Sequence, residues 1–166
     1  MTSRALITQA AADLLVTLQE RHGALMFHQS GGCCDGSSPM CYPDGDFIVG
    51  DRDILLGVLD VGEAADARSK GIFGVPVWIS GPQFDAWKHT QLVIDVVPGR
   101  GGGFSLEAPE GKRFLSRGRA FTDAELDELA ACPPLTGAEY AAGKRPPDTG
   151  SHIVAEASDA CPVPQR

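Results

Sequence analysis

No stretch of this 166-residue sequence approaches the roughly 18 to 20 apolar residues that a membrane-spanning helix needs. The N-terminal segment comes nearest, but Asp13 and Glu20 interrupt it, so it reads as an amphipathic helix and not as a signal peptide. Basic residues are also scarce. Fourteen Lys and Arg stand against 22 Asp and Glu, for a formal charge of −8, and no basic cluster offsets that balance. Phosphate contacts need a surplus of cations, so nucleic acid is excluded as a partner. There is no internal repeat. The glycine run "GRGGG" lacks the Lys-Ser/Thr of a phosphate-binding loop and precedes a strand instead of opening a helix. No Ser-His-Asp or paired-carboxylate arrangement follows from spacing, so enzymatic activity stays open. A cytoplasmic protein without membrane attachment is expected, and a homo-oligomer is left open.

Cysteine is infrequent and unevenly placed. Three of the five fall within Met26–Tyr42, "MFHQSGGCCDGSSPMCY". In a reducing compartment, clustered thiols point to metal or redox chemistry before structural disulfides. His28, Cys33, Cys34 and Cys41 are the candidate metal set, because thiolate and imidazole bind zinc and iron. The spacing H-x4-CC-x6-C differs from the C-x2-C pairs of a zinc ribbon. Adjacent cysteines seldom both reach one ion, so three loop ligands with a fourth position open or shared is the expected arrangement. Zinc or iron is favoured over an iron–sulfur cluster. Two readings compete with this one. Cys33 or Cys34 could be a reactive thiol with Cys41 as its resolving partner, or the small side chains could simply pack well in a Gly-Ser loop.

The length suits one domain with its own core. Hydrophobic residues at 43% and charged residues at 22% fit an ordinary globular chain. A first helix is predicted from Thr8, as N-cap, to Arg21, with Gly23 as its C-terminal stop. Strands are predicted at "ALMFH", "DFIVG", "DILLGVLDV", "VPVWIS", "QLVIDVV", "FSLE" and "KRFLSRGRAF". A short helix is expected over Pro82–Lys88, and a closing one over Thr122–Ala131, where Thr122 and Glu125 have capping-box spacing. The fold class is α+β. Residues 1–132 form the domain, and residues 133–166, with six of the twelve prolines, read as a loosely packed tail. Arg100, Arg117 and Arg119 could contact an anionic group, but pairing with Asp95 or Glu107 is the default expectation.

Across about residues 8–131, "HGALMFHQSGGCCDGSSPMCY", "VPVWI", "DVVPGRGGGFSLEAPEG" and "RFLSRGRAFT" resemble a bacterial family known as domain of unknown function 779. Its genes commonly neighbour those of NAD-dependent aldehyde dehydrogenases. The resemblance therefore implies an accessory role beside such an enzyme, with aldehyde dehydrogenase as partner. A pure interaction module that stabilises the dehydrogenase is the non-chemical version of that role. "SGGC" at Ser30–Cys33, "VPVWISGPQFDAWKHTQLVIDVV" and "GGGFSLEAP" also resemble the HesB-like A-type iron–sulfur carriers. That likeness implies a compact domain of small mixed sheets. Only Cys33 carries over as a ligand, since Leu115 and Arg117 occupy the positions of the carriers' other two cysteines.

Overall fold

The computed structural model describes residues 2–29, 38–61, 74–100, 104–147 and 152–156. Two four-stranded mixed sheets share one apolar core. The first is ordered β7-β6-β1-β8 and the second β3-β2-β5-β4. Their strands are β1 (Ala5–Thr8), β2 (Leu25–Gln29), β3 (Met40–Pro43), β4 (Ile54–Leu59), β5 (Val75–Ile79), β6 (Thr90–Pro98), β7 (Lys112–Ala120) and β8 (Ile153–Val154). Helices α1 (Gln9–His22), α2 (Gly81–Trp87), α3 (Asp123–Ala130) and α4 (Gly137–Ala141) complete the α+β arrangement.

Helix α1 starts and stops where its end residues require. The Thr8 hydroxyl accepts from the Ala11 N–H at 3.3 Å, and Gly23 adopts φ 79° while donating to the Gln19 carbonyl. Its Ala11, Leu14, Leu15 and Leu18 stripe enters the main core with Ile7, Phe27, Val77, Ile94 and Phe114. Helix α3 carries the expected capping box between Thr122 and Glu125. Arg119 of β7 pairs with Glu125, and Arg4 donates to the Leu129 and Cys132 carbonyls. These bonds tie α3 to β7 and to the chain's N-terminal end.

Two predicted strands are absent. Residues 44–53, which include "DFIVG", run as turns and irregular chain, and Ile48 is left 90% exposed. Gly45 turns the chain at φ 94°, and the Asp53 carboxylate captures the Gly50 N–H, so local bonds replace a ladder. "FSLE" is likewise a turn leading into a 3-10 turn over Ala108–Glu110. Its polar side chains face inward and bond locally instead of alternating across a sheet.

The described part of residues 133–156 is tied to the fold. The Leu55 N–H donates to the Leu135 carbonyl, Thr136 bridges Ile54, and Tyr140 packs edge-on against Trp78 at 5.3 Å. Strand β8 lies parallel to β1, with Ile7 beside Ile153. Residues 157–166 lie outside the described residues.

Candidate functional site

Strand β2 is buried along its whole length, between antiparallel β3 and parallel β5. Its alternation sorts the candidate residues into two environments. Leu25, Phe27 and Gln29 look toward the other sheet, whereas Met26 and His28 look outward, where Met26 packs with Leu55 and Trp78. Cys41 of β3 stands directly across from Phe27, and Met40 across from His28. Cys41 therefore belongs to the inner face and His28 to the outer one. The sheet separates the two residues that the sequence grouped as ligands of one ion.

On the inner face Cys41 is fully buried. Its N–H donates to the Ser105 hydroxyl at 2.9 Å, and its carbonyl accepts from the Leu106 N–H at 3.1 Å. Burial pushes its thiol pKa well above the ordinary value, and the neighbouring Glu107 charge adds to the rise. Cys41 is thus a neutral core thiol whose backbone fastens the 104–107 turn to β3.

Glu107 is also fully buried. Its carboxylate accepts from the Ser105 hydroxyl in a short contact and from the Phe114 N–H at 3.3 Å. None of the expected arginines reaches it. Arg117 pairs with Asp95 at 2.7 Å, and Arg119 takes Glu125 and the Gln91 side-chain carbonyl. Arg100 is exposed. Beside this cluster the Ser116 hydroxyl donates to the Gln29 side-chain oxygen at 2.8 Å, bridging the sheets.

On the outer face His28 is 4% exposed. Its Nε2 lies 2.9 Å from Asp53 Oδ2, and the Phe47 ring covers it at 4.4 Å, with Tyr42 stacked beyond. Asp53 Oδ2 also accepts the Gly50 N–H at 2.9 Å. Sequence reasoning missed Asp53. Its available signal was weak: an Asp at the end of the "GDRD" turn, 25 positions from its histidine. Glu107 was seen only as an ion-pair candidate, because nothing in "SLEAPE" marks a carboxylate that folds inward.

Cys33 and Cys34 lie outside the described residues, as does the GGG of "GRGGG" at 101–103. Among the described residues no three His, Cys, Asp or Glu side chains converge as a metal-binding group. Cys132 lies just past the C-terminal end of α3. Leu115 is buried on β7 and Arg117 is held by Asp95, so neither carrier-like position offers a ligand. No helix among the described residues is long and apolar enough to cross a membrane.

No curated protein and no solved structure matches the chain. One family model does, from residue 14 to residue 120, a span that takes in β2, β3, both clusters and the Asp53 turn. The chain belongs to the family described as domain of unknown function DUF779.

Proposed function

We propose that the protein is a cytoplasmic metal-binding accessory protein of an NAD-dependent aldehyde dehydrogenase, with His28 and one of the adjacent Cys33 and Cys34, Cys33 first, among the ligands. The observation that carries this reading is the anchoring of His28. It is the penultimate residue of β2, its ring is fixed by a carboxylate, and the segment bearing Cys33 and Cys34 follows directly. Metal-binding histidines are commonly held in this way, by a carboxylate on the nitrogen away from the ion. A thiolate and an imidazole suit zinc or iron and leave positions open or shared for further ligands. Cys41, buried and neutral on the opposite face, serves the core in this reading. The likeness of Ser30–Cys33 to the carrier loop supports Cys33 as a ligand. The dehydrogenase partner rests on the gene neighbourhood of the family.

Full-length protein purified without oxygen tests the reading by elemental analysis and absorption spectroscopy. Stoichiometric zinc or iron is expected, lost in Cys33→Ser and His28→Gln and kept in Cys41→Ala. A folded wild-type chain that takes up neither metal would overturn it. Co-purification with the dehydrogenase tests the partner separately.

The His28–Asp53 pair also favours a second reading, a thiol-dependent protein that handles aldehyde adducts. Here His28 would take the proton of Cys33 or Cys34 as the sulfur adds to an aldehyde carbon and the C=O π bond opens, then return it to the oxygen, giving a hemithioacetal. Thiol labelling across pH separates the two: a loop thiol that titrates near the free value of about 8.5 removes the basis of the second.

A further inference from the structure

Helix α2 buries a donor and an acceptor that do not meet. Pro82 occupies its first turn, and the Lys88 N–H closes it on the Phe84 carbonyl at 2.7 Å. Within "GPQFDAW", Gln83 and Trp87 are four positions apart and so share one face. Trp87 is 6% exposed and belongs to the main core, with Phe84 packed against that core. Among the described residues, two buried side-chain atoms have no hydrogen-bond partner, and they are Gln83 Oε1 and Trp87 Nε1. One is an acceptor and the other a donor. Leaving either unmet in a core is costly, and native folds rarely do so. The direction of the donor is set by the helix and by β7. Side chains on a helix lean toward its N-terminus, which lays the Trp87 ring over the turn that bears Gln83. A Cβ on Gly118 of β7 would lie 3.7 Å from Trp87 Cζ3. Cζ3 stands across the indole from Nε1, so the indole N–H points away from β7.

We propose that Gln83 and Trp87 form a binding site for one hydroxyl oxygen, which accepts from the Trp87 indole N–H and donates to Gln83 Oε1. The two orphaned groups fix the class of ligand. A carboxylate or a carbonyl has no proton to give Gln83, and an ammonium has no lone pair for the indole. A hydroxyl supplies both from a single atom, either as water or as the end of a short alcohol. Two fixed partners are enough to hold a buried water. The site uses neither His28 nor any cysteine, so it stands or falls apart from the metal reading.

Nuclear magnetic resonance of the isotope-labelled full chain tests this, with Trp78 of the outer cluster as internal control. Trp87→Phe assigns the Trp87 indole proton. That proton is expected to show a direct rotating-frame cross-peak to water, of the sign that distinguishes proximity from chemical exchange. Gln83→Leu, similar in size but without the acceptor, should abolish it and leave the Trp78 resonance in place, which also shows that the variant is folded. Titration with propanol then separates the two sources of the hydroxyl. A saturable shift of the Trp87 indole, with the water cross-peak lost, shows that an alcohol is admitted. An unmoved indole with the cross-peak kept shows that water alone fits. Absence of both responses would overturn the proposal, and an indole shift in Gln83→Leu would then mark a direct bond between the two side chains. A cross-peak that survives Gln83→Leu would remove Gln83 from the site and sink the proposal equally. So would an indole proton that exchanges as fast as that of free tryptophan, since it would face open solvent.

Discussion

The ion pair between Arg119 and Glu125 makes a quantitative prediction about acid stability. Glu125 Oε1 and Oε2 accept from both terminal nitrogens of Arg119 at 2.9 and 2.6 Å, a bidentate pair. Those bonds, with the Thr122 N–H and the guanidinium charge, outweigh burial and hold the Glu125 carboxyl at about 2, against an ordinary 4.5. A depression of that size corresponds to a ceiling of about 3 kcal/mol, at about 1.4 kcal/mol per pH unit. Glu125 keeps 23% of its side chain exposed, and solvent screening lowers the expected contribution to about 1–2 kcal/mol. The sign follows from the direction of the shift. The unfolded chain binds the proton more tightly, so the contribution is complete above about pH 4.5 and is lost as pH falls toward about 2. Glu125→Gln isolates the charge, because Gln can still fill the capping box with Thr122. Urea denaturation of wild type and variant at about pH 7 and about pH 3 is the assay. The stability gap should be about 1–2 kcal/mol at the higher pH and clearly smaller at the lower. A gap that is the same at both would show that the pair contributes packing and not charge.

Three further outcomes are expected. Cys41, buried and with a raised pKa, should resist an aromatic disulfide reagent in the native protein and react only on unfolding. Cys41→Ser should cost about 1–3 kcal/mol for a hydroxyl placed in the core, measured by thermal melts. Ser116→Ala removes one hydrogen bond to the buried Gln29 oxygen and should cost about 1 kcal/mol. Much of that cost should return in the double variant with Gln29→Leu, as a double-mutant cycle would show. Ending the chain after Cys132 removes Tyr140 from the Trp78 ring and the Leu135 carbonyl from β4. It should shift the Trp fluorescence to the red and lower the melting midpoint, and an unchanged spectrum would count against that packing.

The elements that were legible in the sequence are those set by local chemistry. Thr8 and Gly23 bracket α1, Thr122 and Glu125 start α3, and the run Leu92–Val97, with four β-branched residues in six, lies within β6. What stayed hidden depends on distant partners. Ala5–Thr8 becomes a strand because Leu6 pairs with Val93 across the domain, and Met40–Pro43 because it returns beside β2. Ile153 and Val154 are two residues long and have no pattern of their own; β1 alone makes them a strand. Around the candidate site the loss was of a different kind. The sequence brought His28 and Cys41 together by proximity in the chain, yet strand alternation places them on opposite faces. Asp53 and Glu107 went unseen because a carboxylate in a turn looks the same whether it points to water or to a buried partner.

That separation bears on how the Cys-rich segment can work. Strands β2 and β3 flank it, and each is secured by its own buried polar contacts: β2 by Gln29 with Ser116, β3 by Cys41 with the Ser105–Glu107 turn. These contacts lie on the inner face and leave the outer face to His28, Asp53 and the aromatic cover of Phe47 and Tyr42. A buried polar network is costly unless satisfied, and it then specifies one arrangement. The inner cluster therefore fixes the two strand ends without using the groups that chemistry at His28 would need. A metal or a reactive thiol at the segment could then come and go while the core stays paired. On this argument Ser116→Ala should lower global stability yet leave the His28–Asp53 contact intact, as unchanged His28 ring resonances would show. A Ser116→Ala protein with displaced His28 ring resonances would show that the two faces are one coupled unit.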